Sequence, residues 1–241
     1  MKAHPAYSHN RSGFTLVELL IAMVVAFLVS AAVYASYTVQ QQTYKAQTQV
    51  TEIQQNLRAA MEMMSREFKY AGYDPSWSGN YTITVATATN IAFSADLCEN
   101  GGAPKAPGVL CPDGPYGPQP GPPPIAAQNL DEAYNYQIPA GTTDLVHTTL
   151  NNPIAHNIEF IEFYYILEDG TGRSAPTAAE IADVRSVRIT IVGRAAEPDF
   201  KYTNTETYPI GSGGANYDPA DDNFRRRSLI KTIELRNMGI I

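Results

Sequence analysis

The residues best placed to do chemistry lie near the N-terminus, where one carboxylate, Glu18, interrupts the apolar run from Gly13 to Val39, GFTLVELLIAMVVAFLVSAAVYASYTV. An ionised carboxylate in hydrocarbon costs several kcal/mol unless it is paired or neutralised. The peptide bond between Gly13 and Phe14 offers a partner. Scission there would free the α-amine of Phe14 within the first turns of the helix that carries Glu18, and the two groups can pair within one chain or between neighbours. A carboxylate in the first turn also suits the positive end of the helix dipole. If such helices pack side by side with an axial offset, Glu18 of an incoming chain meets the amine of one already in place, which favours one register. The chemistry expected here is proteolysis followed by ion pairing.

The remaining candidates are weaker. Cys98 and Cys111 are the only cysteines, and in an oxidising compartment a close pair is most simply a disulfide. Its loop of about 14 residues would contribute on the order of 3 kcal/mol in the chain-entropy model. Asn216 to Asn223 gathers Asp218, Asp221 and Asp222 with two amide oxygens, a donor set that suits Ca²⁺. The spacing is not that of an EF-hand, and Arg225, Arg226 and Arg227 follow directly, so a solvated loop is the competing expectation. His147 and His156 have no Cys or His at ligand spacing and read as ordinary polar residues. Gly211-Ser212-Gly213-Gly214 follows no predicted strand and reads as a flexible turn, not a nucleophile elbow. No catalytic residue and no cofactor is expected.

These residues need an element that positions them, and the apolar run is that element. As a helix it reaches roughly 40 Å, and about 20 apolar residues already cross a bilayer core. Ahead of it stands the polar leader MKAHPAYSHNRSG, with Lys2 and Arg11. A secretory signal has the reverse order, apolar region first and then the cleavage site. Cutting after Gly13 instead leaves the hydrophobic helix on the mature chain. The leader's positive charges place it in the cytoplasm and everything beyond about Val39 outside.

The helical pattern continues past the span. From Gln40 to Tyr70 there is no Gly or Pro, and Val50, Ile53, Leu57, Ala60, Met61, Met64 and Phe68 recur at spacings of 3 and 4, which puts them on one face. One helix from Phe14 to about Tyr70 is predicted, ended by Gly72 and Asp74-Pro75. Its other face carries Glu52, Arg58, Glu62, Arg66, Glu67 and Lys69, solvated or in contact between subunits. Strands are predicted at Tyr81–Val85, Asn90–Ser94, Thr143–Leu150, Ile158–Glu168, Ser186–Val192 and Leu229–Leu235. A short helix is expected over Thr177–Val184. Between these lie a Pro/Gly-rich surface loop over Asp96–Gln128 and a polar connection over Glu197–Asp222. The fold class is α+β, a long helix packed on an antiparallel sheet domain with long loops. The organisation is a cleaved leader over 1–13, a helix over 14–71 with its membrane half at 14–39, and an exported domain over 72–241.

Composition narrows the function further. The formal charge is −7, and loss of Lys2 and Arg11 with the leader lowers it to −9. That balance argues against nucleic-acid binding as the main task.

Gly13, Phe14, Thr15, Leu16, Glu18 and Leu19 resemble the class III signal of type IV pilins and type II secretion pseudopilins. The resemblance implies a dedicated prepilin peptidase that cuts after Gly13 and methylates the amine of Phe14. It differs from many major pilins in having no helix-breaking Pro or Gly in the apolar half. Three further segments, Ala71-Gly72-Tyr73-Asp74-Pro75, the Ile189 strand ending in Gly193-Arg194, and RRRSLIKTIELRN at the end, resemble the PilW family of minor pilins, related in plan to pseudopilin J. What that implies is a non-enzymatic subunit of the inner membrane and then of a surface pilus. It would prime assembly beside other minor pilins and the major pilin, near the tip and under a PilY-type adhesin. A type II secretion pseudopilin and a membrane-anchored binding domain are the alternatives.

Overall fold

A computed structural model of the chain describes residues 13–73, 82–95, 133–147 and 152–238. They fall in two compact units, Met1–Gln47 and Thr48–Ile241. Helix α1, Leu16–Glu67, contributes to both. No Gly or Pro occurs from Phe14 to Ala71, so nothing removes a helical hydrogen bond or adds the entropy cost of glycine along it.

In the first unit α1 carries apolar side chains on every side. Leu16, Phe27, Leu28 and Val33 are among many large ones left exposed. A helix that is apolar all round belongs in lipid or among other helices, and among the described residues α1 is long and apolar enough to cross a membrane.

In the second unit the same helix becomes amphipathic. Ile53, Leu57, Ala60, Met61 and Met64 are buried, while Arg58, Glu62 and Arg66 between them are exposed. A 3₁₀ turn, Phe68–Tyr70, ends it. Gly72 follows at φ +73°, and a Cβ there would lie 2.6 Å from the sulfur of Met238. Conformation and space both require glycine at this stop.

Among the described residues the expected antiparallel sheet domain is built of two sheets. The first has the order β1-β2-β3-β4-β5, with β1 Ile83–Ala86, β2 Asn90–Ser94, β3 Ala133–Gln137, β4 Leu145–His147 and β5 Asn152–Ala155. The second has the order β7-β6-β8-β9, with β6 Ile158–Leu167, β7 Gly172–Arg173, β8 Val184–Arg194 and β9 Arg226–Glu234. Strands β3 and β5, and the two-residue β7, were not predicted. All are short, and β5 contains Pro153, which fits because β5 is an edge of its sheet and needs no inward N–H there. The short helix expected over Thr177–Val184 is only a 3₁₀ turn, Ile181–Asp183.

The core lies between α1 and the sheets. Phe68 is its centre, with ring centroids 5.0 Å from Phe93, 5.8 Å from Tyr136 and 6.2 Å from Phe163. Val187, Ile189 and Ile191 of β8 are fully buried, as their alternation predicts. Gly193 lets the helix approach closely, since a Cβ there would sit 3.0 Å from Leu57.

The other face of the second sheet is covered too, which the polar connection over 197–222 gave no reason to expect. Gly211 donates its N–H to Thr190 Oγ1 at 2.8 Å, Arg188 donates to the Gly211 carbonyl at 2.8 Å, and Ser212 N–H donates to Glu162 Oε2 at 3.2 Å. Phe160 stacks on Tyr217 at 4.6 Å. A Cβ at Gly211 would come within 2.9 Å of Arg188 and Thr190, so the segment read as a flexible turn is a close contact. Cys98, Cys111 and the Pro/Gly-rich loop lie outside the described residues.

Near the end of α1, burial pushes the Glu67 carboxyl up to about 7, with Arg66 pulling weakly the other way. Its partner at 3.7 Å is His147 of β4, whose own proton affinity burial lowers. A carboxyl raised in the folded state holds its proton there, so its contribution to stability is lost as pH rises from about 4.5 towards 7. His147 works oppositely, losing its contribution as pH falls through the range below its ordinary value. Glu67→Gln is therefore expected to stabilise the chain at pH 8, by up to about 3 kcal/mol, and to change little at pH 5. Urea midpoints at the two pH values check this.

Candidate processing and assembly site

The helix does not start at Phe14 but at Leu16, because Thr15 acts as its cap. The Thr15 carbonyl accepts the first helical bond, from Leu19 N–H at 3.2 Å. Its hydroxyl accepts from Glu18 N–H at 3.2 Å, and the Glu18 carboxylate accepts in return from Thr15 N–H and Thr15 Oγ1, each at 3.2 Å. This reciprocal pair is a capping box, which satisfies donors that the first turn of a helix leaves unpaired.

Glu18 therefore has a partner before any amine is released. The carboxylate sits at the positive end of the helix dipole and is oriented by Thr15 within its own chain. Sequence reasoning named Glu18 and overlooked the role of Thr15, although Thr15-x-x-Glu18 is the capping-box spacing. Thr15→Val keeps the shape and removes the hydroxyl. Loss of the cap, about 1 kcal/mol, should make the Glu18 amide exchange with deuterium about fivefold faster in detergent micelles.

Gly13 stands just before this cap, and Phe14 is 89 % exposed. Along one side of the helix Phe14, Glu18, Ala22, Ala26 and Ser30 line a shallow apolar furrow with Val25 and Val29. Small residues four apart let a second helix approach closely. The arrangement offers a peptide bond next to an ordered turn, a preset carboxylate, and a helix face with room for a neighbour.

The other sequence candidates are placed elsewhere. Both oxygens of Asp222 accept from Arg226 at 2.6 Å, and Asp222 also accepts from Phe224 N–H at 3.0 Å. The Arg226 hydrogen bond holds its carboxyl below the usual range. Asp218 and Asp221 are exposed. Among the described residues no three His, Cys, Asp or Glu side chains gather as metal ligands. Arg225 binds not these acids but Asp199, at 2.8 Å. His156 Nδ1 lies 2.9 Å from Asp144 Oδ1 in an exposed pair, and His147 is buried against the rings of Tyr134 and Tyr136.

Comparisons with known proteins agree with this geometry. Residues 8–34 match the prokaryotic N-terminal methylation motif, and residues 150–237 match the family of type IV pilus-assembly protein W. No curated protein matches the chain. Among solved structures, a type IV-like pilin from Thermus thermophilus superposes with a TM-score of 0.50 at 14 % identity, covering 78 % of this chain and 99 % of its own. That likeness shows the fold, one long N-terminal helix with antiparallel sheets. An N-terminal methylation motif, a type IV pilin fold and a matching sheet segment together make this chain type IV pilin-like, with its family similarity to PilW.

Proposed function

We propose that the chain is a minor-pilin-like structural subunit that primes assembly of a type IV pilus and is built into it, near the tip. It inserts in the inner membrane with its N-terminus in the cytoplasm. The leader over 1–13 is removed by a prepilin peptidase that cuts after Gly13 and methylates Phe14. The mature chain, a segment over 14–71 that carries α1 and a domain over 72–241, then leaves the bilayer and joins other minor pilins and the major pilin, beneath a PilY-type adhesin.

The observation that carries this reading is the capped turn at Thr15 to Glu18 beside the Gly13–Phe14 bond, at the head of a helix apolar on all sides. Leaving lipid loses little hydrophobic stabilisation if the face from Glu18 to Ser30 is covered by neighbouring helices. Released α-amine then draws the Glu18 carboxylate from Thr15 to itself or to a neighbour. Nothing in this mechanism needs a catalytic group on the chain. An epitope-tagged chain should pellet with shear-released filaments and label at or near their ends by immunogold. A processed chain that stays wholly in the membrane fraction contradicts the proposal.

A further inference from the structure

On the globular unit, charge is distributed unevenly. Several arginines of the sheets are paired: Arg173 with Glu180, Arg185 with Glu168, Arg194 and Arg226 with Glu159, and Arg225 with Asp199. Five other cations, Arg58, Arg66, Lys69, Lys231 and Arg236, have no ion-pair partner among the described residues, and all five line one cleft between the exposed face of α1 and β9. Glu62 and Glu234 share its walls, so the cleft is net positive on a chain of charge −7.

Two further features point to an occupant. Strand β9 is the last in its sheet, and no described strand pairs with its outer side, which leaves main-chain donors and acceptors along it. Ser65, at the edge of both parts of the cleft, is only 6 % exposed, yet its hydroxyl has no hydrogen-bond partner. A buried hydroxyl without a partner is uncommon in a folded protein.

We infer that this cleft receives an extended acidic segment of a partner chain, added to β9 as a further strand. Strand addition takes its affinity from main-chain hydrogen bonds and its selectivity from alternate side chains. Every second side chain of the incoming strand faces α1, where carboxylates meet Lys231, Arg66 and Lys69. Lys231 shares its face of β9 with Leu229 and Ile233, and a charge on that face of an edge strand keeps apolar edges away. It also sets like charges together if two copies pair β9 to β9, which disfavours that contact. An acidic strand is the occupant these charges admit. The inference does not depend on the chain entering a filament.

The test uses the full chain in detergent micelles and a fluorescent peptide of alternating Glu and Thr, about ten residues long, the length of strand that β9 can pair. Saturable binding is expected. It should weaken at least about tenfold when Lys replaces Glu in the peptide, when alternate peptide amides are N-methylated in either register, and in the K231E/R66E chain. Lys231→Gln, a milder change, should weaken it about threefold. Bound peptide should slow deuterium exchange over residues 228–234. Absence of saturable binding overturns the inference. Equal affinity for the N-methylated peptides does so too, since it leaves charge attraction without strand addition.

Discussion

Gly13→Glu is expected to leave the chain uncut, with its leader and its original N-terminus, while Glu18→Ala is expected to be cut normally and yet fail to enter filaments. The two outcomes separate what the two residues do. Gly13 has no side chain beside the bond to be broken, and a Cβ at that position meets nothing among the described residues. Failure of Gly13→Glu thus reports exclusion from the peptidase, not misfolding. Glu18 lies past the bond, held by Thr15, and its loss leaves the scissile segment unaltered. What it removes is the opposite charge that the released amine must find in a dry surrounding, where an unpaired ammonium costs several kcal/mol. Incorporation should fall by a factor of about 100 or more for a loss of 3 kcal/mol. Intact mass of the membrane fraction and immunoblots of sheared filaments read both effects. Wild-type filament levels in Glu18→Ala would remove the pairing argument.

The second large effect is on folding. Arg226 is 2 % exposed and holds Glu159 on β6 and Asp222 at the end of the long connection. Burial works against its charge, but the hydrogen bonds to Asp222 and Glu159 outweigh that and keep the guanidinium above its ordinary range. Arg226→Met leaves Asp222 without its ion-pair partner and Glu159 with Arg194 alone, and is expected to cost about 3–5 kcal/mol. The pH dependence distinguishes this from simple loss of packing. In the wild type, Asp222 is held low by Arg226, so its contribution is present at neutral pH and is lost as pH falls through its folded value. In Arg226→Met the Asp222 carboxyl no longer has the guanidinium that holds it low, so the variant loses less on acidification. The gap between the two chains should narrow from pH 7 to pH 3 in urea melts. Adding Asp222→Asn to Arg226→Met should recover part of the loss at pH 7. A gap independent of pH would show that the network contributes only its packed volume.

How far the sequence could be read follows from which interactions are local. Helix α1 was legible along its length because two local signals agree, absence of Gly and Pro and the 3/4 spacing from Ile53 to Phe68. Its exact start was not, because the predicted beginning at Phe14 ignored the hydroxyl of Thr15 and the bonds it makes with Glu18. Strands β6, β8 and β9 were legible as alternating apolar runs. Strands β3 and β5 were not, since four or five residues with Asn, Gln or Pro carry too little periodicity, and their pairing partners are distant in sequence. The connection over 197–222 looked like solvent-exposed chain because its composition is polar. Its contacts to Glu162, Arg188 and Thr190 are made by backbone groups, which leave no mark on composition. The grouping of Asp222 with Glu159 through Arg226 spans 67 residues, and nothing within the loop announces it. At the membrane end, by contrast, Gly13, Phe14 and Glu18 are neighbours in the chain, so the candidate site was visible as a short motif.

The central claim is that a peptidase separates Gly13 from Phe14 and so exposes the amine that Glu18 requires. Intact-mass and N-terminal fragment analysis of the chain isolated from its own cells tests this most directly. The account predicts a mature protein lacking residues 1–13 and beginning with N-methylated Phe14. A native protein that begins at Met1, or at any residue other than a methylated Phe14, would contradict it.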